Sequence, residues 1–253
     1  LGAALDDVRD QVVLATKVSP NRLGFDQVLN ACHSSLKNLR TDYIDLYQIH
    51  WPSGSFGGKV VPLEETMAAM IKLKNQGKIR AIGVSNFSQV QVAEAAKYGC
   101  IDSLQPPYSL FWRHVEEKTM TYCIDHNISI LAYSPMAQGL LTGNFGPDHK
   151  FQKGDHRSKN KLFQPENYLR VQQALARLRP IADELDVSLG QLALVWVTSH
   201  PGVSAIAGAR NAEQATMNAR AAEISLSAGT LAQLDQIGRM VTDYLDENPV
   251  MWL

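Results

Sequence analysis

Polar side chains that could do chemistry recur at one kind of position in this sequence, the carboxyl ends of its apolar, β-rich runs. These residues are Lys17, His50, Ser85, Asn86, Gln105, Tyr133, Ser134 and the segment Gly208 to Arg210. Ammonium, imidazole, amide, hydroxyl and guanidinium groups can stabilise developing negative charge or bind phosphate oxygens. For any single residue, simple contact with water is an equally good interpretation. For six successive runs it is much weaker, so the pattern favours a shared site.

His50 is the strongest candidate for a catalytic group. Alternate side chains of a strand share a face, so Gln48 and His50 should point the same way as Ile44 and Leu46. If that set faces the interior of a barrel, His50 faces its open end. A lone histidine is more often structural, but Lys17 at the equivalent end of the preceding run favours catalysis. Lys17 itself needs an acidic partner, and no acidic residue lies at a neighbouring strand end.

The apolar runs alternate with segments of helical period, which predicts parallel strands joined by right-handed crossovers. The predicted strands are 12–18, 43–50, 79–85, 102–107, 128–134 and 203–209. The predicted helices are 25–39, 62–78, 88–99, 114–127, 166–185 (interrupted by Pro180), 188–200, 211–222 and 227–240.

This alternation predicts a single α/β domain over residues 1–253. Six strand–helix units suit either an open sheet or a TIM barrel, a (β/α)8 fold, that lacks its first two units. The opening LGAALDD is typical of a helix end, so we expect two units before Leu1. No GxGxxG follows a strand, which argues against a Rossmann domain.

Composition excludes several classes of function. The 24 basic and 25 acidic residues leave a net charge of −1, which gives no case for a nucleic-acid or membrane-surface partner. No apolar run approaches the roughly 20 residues of a membrane span. The three cysteines, Cys32, Cys100 and Cys123, lack zinc-ligand spacing. We therefore expect no metal site and reduced thiols in a cytoplasmic compartment.

Five stretches in order resemble the aldo-keto reductases. They are LATKV (14–18), DYIDLYQIHWP (42–52), GKIRAIGVSNF (77–87), LAYSPMAQGLLTG (131–143) and IAGARNAEQATMN (206–218). The tail DYLDENPVMWL is similar to that of bacterial or plastid-type members. The resemblance implies a TIM barrel with two extra helices that binds NADPH without a Rossmann fold and reduces aldehydes and ketones to alcohols.

The resemblance also implies catalytic roles. Lys17 matches the lysine that lowers the pKa of a tyrosine acid, and His50 matches the histidine that orients the carbonyl oxygen. The family's tyrosine and aspartate have no match in this sequence, so we expect this chain by itself to be inactive. Trp51 and Tyr108 are expected either to flank the substrate or to be ordinary aromatic residues of the rim.

The resemblance implies a fuller set of residues for binding the cofactor than for catalysis. Ser85, Asn86 and Gln105 match the residues that bind the nicotinamide carboxamide, and Tyr133 matches the aromatic residue that stacks on the nicotinamide ring. The other matches cover the pyrophosphate and adenosine: Ser134, Pro135, Met136, Gln138, Leu140, Gly208, Arg210, Gln214 and Asn218. Within 144–161, a basic run that includes Lys161 is either solvated or a flap over the phosphates, with Arg157 as the expected contact. Met217 stands at a position where many members carry an acid that holds the adenine. This difference does not argue for NADH, and the charge of Arg210, which suits a 2′-phosphate, favours NADPH.

Two alternatives stay open. Potassium-channel β-subunits of the same family are cofactor-bound regulatory proteins, and their stretches resemble these about as well. An unrelated phosphate-binding barrel enzyme would share only the fold. The physiological substrate and the oligomeric state do not follow from the sequence.

Overall fold

The computed structural model describes residues 2–5, 7–246, 248 and 251. The predicted start at Leu1 and part of the tail stretch (Glu247, Pro249, Val250, Trp252 and Leu253) lie outside the described residues. The chain forms two compact units, Leu1–Pro106 with Tyr122–Ile130, and Pro107–Thr121 with Leu131–Leu253. One domain over 1–253 therefore stays a prediction.

Six strands form a sheet in the order of the chain. They are β1 (Ala15–Val18), β2 (Ile44–Ile49), β3 (Ile79–Ser85), β4 (Ser103–Gln105), β5 (Ser129–Tyr133) and β6 (Val203–Ile206). Pairing is parallel from β1 to β5. The prediction of a parallel α/β fold is confirmed, although most strands are shorter than the apolar runs that predicted them.

The first unit opens with a short helix, α1 (Gly2–Leu5). Its next three helices begin and end close to their predicted bounds: α2 (Phe25–Leu39), α3 (Leu63–Asn75) and α4 (Gln89–Ala96). Helix α2 has its predicted bounds because its apolar stripe buries Val28 and Cys32. Helix α4 begins after Ser88, whose hydroxyl accepts a hydrogen bond from the Gln91 N–H, as its predicted role as N-cap requires.

Three neighbouring strands approach closely at Gly83. Ser103 Oγ donates a hydrogen bond to Gln48 Oε1 at 3.3 Å, and both side chains are buried. A Cβ atom on Gly83 would lie 2.3 Å from Ser103 Oγ and 2.8 Å from Gln48 Cγ. Glycine is therefore required between these two strands, and Gln48 faces inward as its alternation with Ile44 and Leu46 predicts.

Helix α5 (Thr119–Asp125) corrects the helix predicted over 114–127. The first residues of that range form a separate one-turn 3-10 helix, His114–Glu116. The Glu116 carboxylate accepts hydrogen bonds from Arg113 Nε and from the Tyr108 hydroxyl. These bonds hold that turn against the preceding segment and not in line with α5.

The second unit carries helices α6 (Pro165–Glu184), α7 (Leu189–Thr198), α8 (Ala212–Arg220) and α9 (Ala228–Thr242). The prediction that Pro180 interrupts α6 is wrong. Pro180 is exposed, while Leu178 and Ala182 on either side of it are buried. The hydrogen bond that proline removes is thus lost on the solvent side, and packing keeps the helix continuous. No helix of the described residues has the length and apolar composition to cross a membrane.

Candidate active site

Lys17 and His50 end adjacent strands of the first unit. The His50 N–H donates to the Val18 carbonyl at 3.0 Å, which aligns the two strand ends. Partial burial lowers the pKa of Lys17, and partial desolvation of the otherwise exposed His50, together with the Lys17 charge, lowers the pKa of His50. His50 is therefore a neutral imidazole at pH 7, able to donate one hydrogen bond. Among the described residues, no carboxylate forms an ion pair with Lys17.

An amide and hydroxyl network joins the next strand ends to His50. Asn86 Nδ2 donates to the His50 carbonyl and to Ser85 Oγ, both at 3.1 Å. Ser85 Oγ donates to the Gln105 carbonyl at 2.8 Å, and the Asn86 N–H donates to the same oxygen at 3.1 Å. The structure thus brings together four of the predicted residues within one unit.

Asn86 holds a backbone conformation that few residues adopt. Its φ of 61° lies in the left-handed region, where asparagine is enriched. Immediately after β3, this turn directs the chain so that the side-chain amide reaches the end of β2. A short polar residue at this point is therefore required by geometry as well as by hydrogen bonding.

An aromatic pair follows His50. Trp51 is half-buried and packs edge-on against Phe56, with ring centroids 5.1 Å apart. Phe56 is 79% exposed at a φ of 58°, in a loop flanked by Gly54 and Gly57. The sequence prediction named Trp51 and missed Phe56, for which the glycine-rich SGSFGG stretch was the available signal.

The predicted placement of Tyr108 beside the substrate stays a prediction. Its side chain is fully buried in the second unit, with its ring 5.3 Å from that of Trp196 and 5.5 Å from that of His200. The Tyr108 hydroxyl donates to Glu116 Oε1 at 2.6 Å. Burial and the Glu116 carboxylate strongly raise the pKa of Tyr108, so its hydroxyl is protonated at physiological pH.

The second unit contains a cavity of about 890 Å³. Nine of the predicted cofactor residues line it: Ser134, Pro135, Met136, Gln138, Arg157, Gly208, Arg210, Gln214 and Asn218. Two of them are arginines, and no carboxylate is present among the described residues of its lining. The electrostatics of the cavity therefore suit an anionic ligand.

Five predicted cofactor residues do not line this cavity: Ser85, Asn86 and Gln105, which belong to the network of the first unit, and Leu140 and Tyr133. Leu140 is fully buried and does not line the cavity, so its contact with the cofactor stays a prediction. Tyr133 lies at the end of β5, where burial strongly raises the pKa of its hydroxyl. Its hydroxyl is thus neutral at physiological pH, and its ring remains the group that could stack.

The turn before α8 organises one wall of the cavity. We predicted that Gly208 to Arg210 open the helix, but α8 begins at Ala212 with Asn211 as its N-cap. The Arg210 N–H already donates to Gln214 Oε1 at 2.9 Å, and Asn218 Nδ2 donates to the Gly208 carbonyl at 3.1 Å. Because these bonds occupy backbone groups, the exposed Arg210 guanidinium is the main anion-binding feature of this turn.

Sequence reasoning missed one wall of the cavity, formed by the start of α7. Ser188, Gly190 and Gln191 line it, and Gln191 Nε2 donates to the Met217 carbonyl at 3.3 Å. The search had considered strand ends, whereas this wall comes from a helix N-terminus. The capping box of Ser188 and Gln191 was a detectable signal for that helix start.

The basic segment 144–161 was predicted to be either solvated or a flap over the phosphates. Its charged residues do not all lie in one such environment. Arg157 lines the cavity and is bonded to Asp155, whose pKa it lowers to about 2. Lys161, in contrast, is 5% exposed and forms an ion pair with Asp246 at 2.6 Å. Its inclusion in the flap is therefore wrong, because a buried ammonium needs a fixed carboxylate partner.

No group of three or more His, Cys, Asp or Glu side chains in the described part of the chain could hold a metal ion. Cys32, Cys100 and Cys123 are free thiols.

Comparison with known proteins assigns this chain to a family. A model of the Aldo/keto reductase family matches residues 1–239. The chain belongs to that family. An aldo-keto reductase of Bacillus subtilis (strain 168), YhdN, is 38% identical over 216 residues, covering 81% of this chain and 64% of the relative. The present chain thus spans less than two thirds of the length of that family member.

Solved aldo-keto reductases have the same fold. The glycerol dehydrogenase of Gluconobacter oxydans has a TM-score of 0.86 at 30% identity, covering 98% of this chain and 79% of that chain. An enzyme from Klebsiella pneumoniae, solved with NADP and acetate, has a TM-score of 0.75 at 33% identity, covering 100% of this chain and 78% of that chain. Aldo-keto reductases of this kind are (β/α)8 barrels, which confirms the predicted fold class. Two strand–helix units before Leu1 stay a prediction.

Proposed function

We propose that this aldo-keto reductase reduces aldehydes and ketones to alcohols with NADPH. The observation that carries the proposal is the network in the first unit, where the Asn86 amide links the His50 strand end to Ser85 and Gln105. This network combines a neutral imidazole donor with a set of amide and hydroxyl groups. Such a combination suits recognition of a carbonyl oxygen and of a carboxamide.

The cavity of the second unit supports the cofactor assignment. Its volume, two arginines and absence of carboxylates among the described lining residues fit the pyrophosphate and adenosine phosphate of NADPH. We assign Arg157 to the pyrophosphate, and Arg210 to the 2′-phosphate because its guanidinium is exposed beside Gln214 and Asn218. Ser85, Asn86 and Gln105 would hold the carboxamide, and the Tyr133 ring would stack on the nicotinamide.

His50 and Lys17 act on the carbonyl side of the reaction. The reduced nicotinamide, when bound, supplies a hydride. His50, kept neutral by partial desolvation and by the Lys17 charge, donates a hydrogen bond to the carbonyl oxygen as negative charge develops on it. We assign Lys17 to lowering the pKa of the tyrosine acid that donates the proton. The tyrosine acid and its aspartate partner have no match among the residues of this chain.

Turnover of 4-nitrobenzaldehyde with NADPH by the full-length protein tests this proposal, with NADPH oxidation followed by absorbance. We expect oxidation that depends on both the aldehyde and the enzyme. NADPH binding without turnover of any aldehyde or ketone would instead favour a regulatory protein of the potassium-channel β-subunit type. Quenching of tryptophan fluorescence by a sugar phosphate but not by NADPH would favour the unrelated phosphate-binding enzyme.

A further inference from the structure

Lys161 is a buried lysine that contacts the C-terminal segment. Its Nζ donates to Asp246 Oδ1 at 2.6 Å and to the Asn248 carbonyl at 3.2 Å. The Lys161 side chain is 7% exposed, whereas that of Asp246 is 60% exposed. A buried ammonium is costly unless it is paired, so these two contacts determine where Lys161 can lie.

The backbone around Lys161 is tied to the same segment. The Lys161 N–H donates to the Met251 carbonyl at 2.9 Å, and the Met251 side chain is 2% exposed. The His114 ring also bonds the Asp246 carbonyl, with Nε2 at 2.8 Å from the oxygen. Asp246, Asn248 and Met251 are therefore held by side-chain and backbone contacts together.

Asn160 links Lys161 to the arginine of the cavity. Its N–H donates to the Arg157 carbonyl at 2.9 Å, and its Oδ1 accepts from the Leu162 N–H at 2.9 Å. Asn160 thus ends the one-turn helix His156–Lys159 and begins the one-turn helix Lys161–Phe163. Because Asn160 is fully buried and serves both turns, we expect a shift of Lys161 to displace Arg157.

The direction of the Arg157 side chain leaves little room to compensate for such a shift. Its guanidinium is bonded to Asp155 and lies 5.3 Å from the ring centroids of both Phe145 and Phe151. Because Asp155 and the two phenylalanine rings restrict the Arg157 side chain, the position of its backbone decides where the guanidinium lies in the cavity.

We propose that Lys161 and Asp246 are positioning residues of the cofactor site: their ion pair fixes the two one-turn helices so that Arg157 lies against the pyrophosphate. This inference rests on the proposed function, which assigns the cavity to NADPH. The C-terminal segment would then control cofactor affinity without touching the cofactor. Since pyrophosphate is common to both dinucleotides, the effect applies equally to NADPH and NADH.

Asp246→Asn in the full-length protein tests this role, with dinucleotide dissociation constants measured from tryptophan fluorescence. We expect both NADPH and NADH to bind about fivefold more weakly, within the range of couplings carried through packed elements. Hydrogen exchange of the amides of 155–161 should become faster, while that of 134–142 should not change. Asp243→Asn is the matched control, because Asp243 forms an exposed pair with Arg239 at 3.9 Å on and just after α9. It should leave both affinities unchanged.

A double-mutant cycle with Arg157→Met separates positioning from general destabilisation. If Asp246 acts through Arg157, Asp246→Asn should have no further effect on affinity in the Arg157→Met background. Additive losses, or unchanged affinity in Asp246→Asn alone, would overturn the inference while the wild-type protein still bound NADPH. Failure of the wild-type protein to bind either dinucleotide would instead reject the proposed function.

Discussion

At the scale of single residues, charge and hydrogen bonding set the chemistry of His50. Its imidazole is exposed at the end of β2, next to a lysine that has no carboxylate partner among the described residues. Its backbone carbonyl is bound by Asn86, so the strand end is held while the ring remains available. A group placed in this way can bind a substrate oxygen without first breaking an internal hydrogen bond.

His50→Ala in the full-length protein should lower kcat about 10²-fold, since one donor to the developing oxyanion is removed. NADPH affinity should change little, because the cofactor assignments lie on other side chains. Steady-state kinetics and fluorescence titration measure the two quantities. An unchanged kcat would end the assignment of His50.

Arg210→Glu should weaken NADPH binding at least about tenfold, the effect of losing a charge-assisted hydrogen bond, and NADH binding much less. The exposed Arg210 has no described ion-pair partner to release, so the change acts on the ligand. Arg177→Glu, an equal charge reversal at an exposed position of α6, is the control. Equal losses for both dinucleotides would show that Arg210 does not contact the 2′-phosphate.

At the scale of elements, close packing of strands decides which residues can reach the strand ends. Ser85 and Gln105 lie side by side because β3 and β4 pair in register, and Gly83 permits the approach two residues earlier. The amide network thus depends on a glycine that has no chemical role of its own.

Gly83→Ala should lower the free energy of unfolding by about 1–3 kcal/mol, the usual cost of overpacking, because its Cβ would overlap Ser103 Oγ. Chemical denaturation measures this change. Gly146→Ala is the control, since a Cβ at Gly146 meets no atom within 4 Å. Equal stability of the two variants would mean that the strands can separate without cost.

At the scale of the whole molecule, a cluster of charges around Asp45 of β2 makes stability depend on pH. Asp45 pairs with Arg9 at 2.7 Å and with Arg80 at 2.8 Å, and the two guanidinium groups lie 3.9 Å and 3.8 Å from the Tyr43 ring centroid. The bonds from the Leu14 N–H and from Arg9, together with the charges of Arg9 and Arg80, hold the pKa of Asp45 below its usual value although burial opposes them. This cluster attaches the segment that precedes β1 to the sheet.

Because its folded-state pKa is lowered, Asp45 stabilises the fold above the ordinary aspartate pKa of about 4. That contribution is lost as the pH falls through the folded-state pKa. Asp45→Asn should therefore lower the free energy of unfolding by about 2 kcal/mol at pH 7, as two charge-assisted hydrogen bonds weaken. The difference from wild type should shrink in denaturation experiments at lower pH. A constant difference at every pH would show that the carboxylate charge is not responsible.

Local patterns carried a large part of the prediction. The spacing of apolar residues identified α2, the hydroxyl of Ser88 identified the start of α4, and alternation along β2 placed Gln48 inside. These features depend on a few neighbouring residues, so the sequence contains them directly. Strand-end positions likewise predicted the residues that meet around His50.

The sequence by itself determined the parallel α/β organisation, the family and the residues at the strand ends, because periodicity and short motifs act over a few turns of chain. Only the tertiary structure decided that Tyr108 and Leu140 are buried, that α6 continues through Pro180, and that Lys161 pairs with Asp246, 85 residues away. Burial and ion pairing join residues distant in the chain. The sequence around a lysine is the same whether its charge is solvated by water or paired with a carboxylate, so local patterns cannot distinguish the two cases.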